Sequence, residues 1–215
     1  MMKKMILALL ISFILISISH ARSPYTEFKI GYFFPEDAKE GVIWGLNLGR
    51  MIDESLSWSF ELNYYQKTYS KVSEIQDTTY QSGLQPREIQ EEINYKTYII
   101  PLFLKLNWEK QMGYKSPLFL RISGGLGWEM VWNKESNYFT DNFATRFYHG
   151  FGWQGNLGIG YQISSSANFF IDGFYNGSRP SRNKGTTDAG FPTWEELNLS
   201  GFGARVGVSV VGFGW

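Results

Sequence analysis

Between Leu56 and Tyr65 the chain alternates almost without a break: Trp58, Phe60, Leu62 and Tyr64 fall on one face, and Ser59, Glu61 and Asn63 on the other. A period of two marks a β-strand whose two faces meet different surroundings. Seven more stretches follow the same rule, near Glu27–Phe34, Val42–Met51, Tyr95–Trp108, Leu118–Trp132, Gly152–Ile163, Phe169–Asn176 and Leu197–Val211, and none after Arg22 carries a convincing 3.6-residue stripe. The fold class this predicts is all-β, an eight-stranded antiparallel transmembrane β-barrel.

Alternation alone does not say which face is buried, because a soluble antiparallel barrel alternates too, with its apolar side inward. Three features choose the membrane. The apolar face is large and continuous, and it carries Trp or Tyr near strand ends (Trp44, Trp58, Tyr64, Tyr98, Trp108, Trp128, Trp132, Trp153, Tyr161), as aromatic girdles at two interfaces require. The opposite face is expected to be small and polar, rich in Gly, Asn, Gln and Ser, which suits the narrow interior of eight strands. The connections also alternate in length. Asp53–Ser55, Glu109–Pro117 and Ser164–Asn168 are short, while Pro35–Gly41, Gln66–Asn94, Asn133–Phe151 and Gly177–Glu196 are longer. Short periplasmic turns with longer outward loops are the mark of outer-membrane barrels, and an even strand count returns both termini to the periplasmic side.

Composition agrees. Aromatic residues make up 18%, and 23 glycines stand beside only 7 prolines, which favours strands with close backbone approaches. Mean hydropathy is −0.24, so the chain is not uniformly apolar. The 20 basic and 20 acidic residues cancel, leaving no broad field to attract nucleic acid, and no nucleic-acid partner is expected. Cysteine is absent. A closed, hydrogen-bonded barrel is one way for an exported chain to hold together without disulfides.

The N-terminus reads as an export signal. Lys3 and Lys4 form a basic start, Met5 to Ile18 is apolar, and Ser19-His20-Ala21 places small residues at the two positions that matter for cleavage, before Arg22. Residues 1–21 are therefore expected to be a signal peptide and 22–215 the barrel domain. The apolar run is short for a permanent span, which needs about 20 residues. No second apolar run of that length follows, so entry into a membrane must be by strands.

The segment Tyr98-Ile-Ile-Pro-Leu-Phe-Leu-Lys-Leu-Asn-Trp108 resembles the fourth strand of the small outer-membrane β-barrel domain of the PorT-like family. Ser123–Trp128, Gly155–Tyr161 and Ile171–Tyr175 look like its later strands. The resemblance implies an eight-stranded outer-membrane barrel in a Gram-negative envelope. It implies no one activity, since members range from secretion-system components to proteins of unknown role.

Two local irregularities are expected. Pro101 cannot donate a ladder hydrogen bond and calls for a bulge or a kink. Counting back from Trp215 and Phe213 puts Arg205 on their face, whereas counting from Phe202 points it inward, so a bulge is expected near Val210-Val211-Gly212.

The lumen face is expected to carry Lys29, Glu61, Lys105, Arg121, Glu129, Asp172 and Arg205. All but Glu129 fall in the lower half, Arg205 depending on the register of the last strand. In so narrow a space mixed charges must pair. They form either a polar path or gate, or an internal salt-bridge plug; the plug is preferred because eight strands leave no open channel. Chemistry is thinly represented. The mature chain has one histidine, His149, placed by alternation in the third long loop and expected to be solvated, with no nucleophile pattern beside it. One His and no Cys cannot make a closed zinc site, and no catalytic residue, metal or other cofactor is expected. The glycines from Gly155 to Gly160 precede no helix and no Lys-Ser/Thr pair, so they do not cradle phosphate. The acidic pairs Glu36-Asp37, Glu91-Glu92 and Glu195-Glu196 read as solvated rims that can touch divalent ions bridging lipopolysaccharide.

The outward connections hold Tyr69, Tyr80, Tyr138, Phe139, Phe143, Phe147, Tyr148, Phe191 and Trp194, which either form a binding surface or extend the sheet above the membrane. The function expected is non-enzymatic, structural or surface-interacting. A component of a secretion or envelope-assembly machine is the alternative, and a lipid-modifying enzyme the third reading. The partners expected are outer-membrane lipid and lipopolysaccharide, the barrel assembly machinery during insertion, and an envelope protein.

Overall fold

The computed structural model describes residues 23–75, 88–138, 142–186 and 191–212. Residues 1–22, which include the expected signal peptide, lie outside them, as do Tyr80, Phe139 and Phe213–Trp215. The strands are β1 (Pro24–Pro35), β2 (Gly41–Met51), β3 (Leu56–Ile75), β4 (Glu88–Gln111), β5 (Leu118–Asn137), β6 (Asn142–Gln162), β7 (Ala167–Ser178), β8 (Ser181–Thr186), β9 (Pro192–Glu196) and β10 (Gly201–Val211). β1 through β7 pair with their sequence neighbours, β7 pairs with β10 and β10 with β1, all antiparallel. Eight strands thus close a barrel with no free edge within the wall, as a lipid environment demands of backbone N–H and C=O groups. β8 and β9 form a separate hairpin between β7 and β10, joined to the wall at His149↔Ser181.

The tight turns are set by short side chains. Asp53 Oδ1 accepts from the N–H groups of Ser55 at 2.6 Å and Leu56 at 2.7 Å, and Ser164 Oγ accepts from Ala167 N–H at 3.1 Å. At the other end two long connections prove to be strand over residues 66–75, 88–94, 133–137 and 142–151. β3 to β6 each run 20 to 24 residues, against 11 or 12 in β1, β2, β7 and β10. At ordinary rise and tilt, eleven residues cross about 28 Å and twenty about 50 Å. One half of the wall therefore stands above the other by roughly 20 Å. The sequence predicts loops at 66–94 and 133–151; Gln66 to Ser70 and Asn133 to Asn137 put largely polar side chains on both faces, which leaves little hydrophobic contrast to betray a strand.

The exterior is apolar: Phe28, Leu62, Leu104, Leu126, Leu157, Ile171 and Val206 all point out and are well exposed, Leu126 and Leu157 each at 60%. So much exposed large apolar surface is stable only against lipid.

Neither expected irregularity shows as a register shift in the described ladders. Pro101 pairs with Glu129 in an unshifted β4–β5 register, and the β3–β4 ladder lapses across Ile100 and Pro101, with Leu62↔Leu102 and Tyr65↔Ile99 in one register. The missing donor thus interrupts one side of one strand without an inserted residue. The register shift in that ladder lies between Lys71 and Val72. β10 runs unshifted from Gly201 to Val211 against β1, Arg205 faces inward, and the change of course comes at Gly212, at φ +83°. That left-handed conformation suits glycine and ends the strand; Phe213 and Trp215, whose facing the second expectation concerns, lie outside the described residues.

Candidate functional site in the barrel interior

All seven charged residues assigned to the lumen from alternation, Lys29, Glu61, Lys105, Arg121, Glu129, Asp172 and Arg205, point inward and are buried. Six of them, with Glu27, form one network. Glu61 is its centre. Its carboxylate meets Lys29 Nζ at 2.7 Å, Lys105 Nζ at 2.9 Å and Arg205 Nη1 at 2.9 Å, and accepts from Asn63 Nδ2 at 2.9 Å. Lys105 also donates to Gln154 Oε1. Arg205 Nε lies 3.2 Å from Asp172, and its guanidinium sits 4.4 Å above the Phe174 ring. Toward the end that holds the tight turns, Glu27 joins Lys29 at 3.0 Å and Arg121 at 2.6 Å, and accepts from Asn47 Nδ2 at 3.0 Å. Arg121 reaches on to Glu109 at 3.0 Å and stacks 3.7 Å from the Phe170 ring. Below, Asn107 Nδ2 donates to Tyr25 Oη at 2.9 Å and to Ser59 Oγ at 3.0 Å.

Lys29, Lys105, Arg121 and Arg205 are thus matched by Glu27, Glu61, Asp172 and Glu109. Desolvating so many charges is tolerable only because each meets an opposite partner and further hydrogen bonds. Glu27 and Glu109 escaped the sequence reading because each sits at a strand end, beyond the first clear apolar position. Glu129 stands apart and higher. It accepts from Asn176 Nδ2 at 2.8 Å and Ser178 Oγ at 2.6 Å, and among the described residues no cation pairs with it.

The outer half of the interior is not polar as expected. Phe33, Ile43, Tyr65, Ile99, Val131, Tyr148, Phe174 and Leu199 form a buried apolar cluster, with Ala38 and Leu197 packed on it. The rings of Phe33 and Phe174 lie 5.5 Å apart, and Tyr65 meets Phe33 edge-on at 6.1 Å. Tyr65 Oη donates to the Lys39 carbonyl, tying the β1–β2 connection over this layer. Two storeys fill the barrel: a charged network below and a hydrophobic layer above.

The outer rim differs from expectation too. His149 is on β6, not in a loop. It points outward, exposed, stacked 5.6 Å from Trp128 and beside Phe147. The acidic pairs on the described rim are engaged rather than free. Asp37 Oδ2 accepts from Asn198 N–H at 2.7 Å, and Glu36 from Asn198 Nδ2. Glu195 pairs with Arg182 at 2.7 Å, and Glu196 accepts from Trp194 Nε1 at 3.0 Å. The hydrogen bond from Arg182 holds the Glu195 carboxyl below its ordinary range. Tyr95, donating to Glu135, has its phenol held above its ordinary value. The side chains of Glu91 and Glu92 lie outside the described ones. Among the described residues no three His, Cys, Asp or Glu side chains gather as a metal-binding group.

No protein-family model matches the chain, and no curated protein matches it in sequence. Solved structures do match. A major outer membrane protein from Thermus thermophilus aligns over 88% of this chain and 98% of its own, at 10% identity and a TM-score of 0.55. The outer membrane protein OprG from Pseudomonas aeruginosa aligns over 89% and 97%, at 14% identity and a TM-score of 0.51. The fold is that of a small outer-membrane β-barrel. With an apolar exterior and closed wall, the chain resides in an outer membrane, in contact with its lipid.

Proposed function

We propose that this chain is a non-enzymatic structural or surface-interaction protein of the outer membrane, with a lumen closed to solutes. The observation that carries the reading is Glu61 held by three cations beneath a continuous layer of buried rings and aliphatic groups. A conducting path would need mobile water where these side chains pack. The seven lumen charges then serve the barrel's architecture. The tall β3–β6 wall and the β8–β9 hairpin, facing outward, supply the surface for interaction, and lipopolysaccharide and an envelope protein are the partners this surface suits. Insertion would depend on the barrel assembly machinery, after removal of residues 1–21. Purified protein in planar bilayers is expected to give no steady conductance; reproducible pores would overturn the closed lumen. N-terminal sequencing of protein from membranes is expected to begin at Arg22.

A second reading, a component of a secretion or envelope-assembly machine, draws on the likeness of Tyr98–Trp108 to the PorT-like strand. Cross-linking in cells separates the two: one fixed envelope complex favours the machine. An outward, aromatic-stacked His149 gives the lipid-modifying alternative no support, and His149→Ala is expected to leave lipid A unaltered.

A further inference from the structure

Above the upper aromatic girdle, the outer face carries a rung with an electrostatic peculiarity. Lys96 on β4 lies directly opposite Lys134 on β5, with Thr68 on β3 opposite Lys96 and Thr145 on β6 opposite Lys134. All four side chains are exposed on the outward face. Directly opposed residues stand with their Cβ atoms about 5 Å apart, and like charges there destabilise a sheet. Among the described residues neither lysine pairs with a carboxylate; Lys134 instead lies 5.7 Å from the centre of the Tyr98 ring. The next rung down is Tyr98 opposite Trp132, the latter packed on Phe147 at 4.9 Å. From Trp108 at the lower interface to Tyr98 is a climb of about 25 Å, the height of the apolar band of such barrels. Lys96 and Lys134 therefore stand at the level of the outer-leaflet headgroups.

We infer that this rung, Thr68–Lys96–Lys134–Thr145, binds a phosphoryl group of an outer-leaflet glycolipid. The inference rests on the outer-membrane reading with its long strands outward. A phosphate between the two ammonium groups turns their repulsion into two charge-assisted contacts, and the flanking hydroxyls can donate to its remaining oxygens. Below it the lipid's acyl chains meet Tyr98, Trp132, Ile100 and Met130 on the same face, which gives the lipid an advantage over free phosphate.

The test uses the mature protein refolded into phosphatidylcholine vesicles containing diphosphorylated lipid A, or the same lipid A stripped of phosphate. The protein is then extracted in mild detergent, and the lipid A retained is measured by mass spectrometry. The wild type is expected to retain the phosphorylated form about tenfold better. Lys96→Glu creates an ion pair with Lys134, so the barrel is expected to keep its heat-modifiable gel shift while losing that preference. Lys96→Gln removes the charge without adding another and should lose it too. Equal retention of both lipids by the wild type, or an undiminished preference in the variants, would overturn the site. Release by excess inorganic phosphate would overturn the lipid as its ligand. A wild type that never enters vesicles would instead sink the membrane reading itself.

Discussion

Arg205 and Glu61 lie 144 positions apart in the chain and meet at 2.9 Å in the middle of the barrel, both side chains wholly buried. They come from β10 and β3, strands separated in the wall by β1 and β2, so the contact spans the lumen instead of following a ladder. It fixes the two sides of the barrel to each other.

Glu61→Gln is expected to cost about 3–5 kcal/mol, because it leaves Lys29, Lys105 and Arg205 without their common partner in a desolvated space. Urea titration in lipid vesicles, followed by the gel shift of the folded barrel, measures it. Glu129→Gln orphans no cation and is expected to cost much less. Equal losses for the two would mean that charge pairing is not what the network contributes.

Inward glycines are the other half of this packing. A Cβ on Gly31 would lie 2.1 Å from the Ala204 carbonyl oxygen and 2.5 Å from Arg205 Cγ, whereas one on Gly124, facing lipid, meets nothing within 4 Å. Gly31→Ala is expected to impair refolding yield and cost about 1–3 kcal/mol, and Gly124→Ala to stay within about 0.5 kcal/mol of wild type. Parallel unfolding curves of the two variants decide the matter; a benign Gly31→Ala would show that the wall yields there.

The barrel was legible where its two faces differ. In β3, Trp58, Phe60, Leu62 and Tyr64 against Ser59, Glu61 and Asn63 announce both the strand and its orientation. Legibility fails where the faces resemble each other. Phe33 lies between the outward Tyr32 and Phe34, and Ile99 lies between the apolar Tyr98 and Ile100, so alternation could not reveal the hydrophobic upper storey. Above the apolar band, Lys67, Thr68 and Tyr69 put polar or amphipathic side chains on both faces, and only the backbone ladder shows that they are strand. Which inward charge meets which was not readable at all. Arg205 finds Glu61 through the stagger of strands around the barrel, a quantity that local pattern does not encode.

The upper storey carries its own expectation. Phe174 is 3% exposed and packs between the Phe33 ring and the Arg205 guanidinium. Phe174→Ala is expected to cost about 3–5 kcal/mol through the cavity it leaves. Because the charged network still fills the lumen beneath, the variant is expected to remain non-conducting in planar bilayers. Steady current through it would place the seal in the rings alone.

Outside the membrane, pH should act on the β8–β9 hairpin before the wall. Arg182 donates to Glu195 and stands 5.3 Å above the Tyr148 ring, which anchors the hairpin to β6. The Arg182 hydrogen bond holds the folded carboxyl below its ordinary value of 4.5. A depressed carboxyl stabilises the folded hairpin above its unfolded value and loses that contribution as pH falls through the folded one. Amide protection across Pro192–Glu196, corrected for intrinsic exchange, is therefore expected to decline below about pH 4.5 relative to β7. Arg182→Gln removes the cause and should flatten the profile. Hairpin protection that tracks β7 down to about pH 2 in the wild type would show that this ion pair does not hold the hairpin in place.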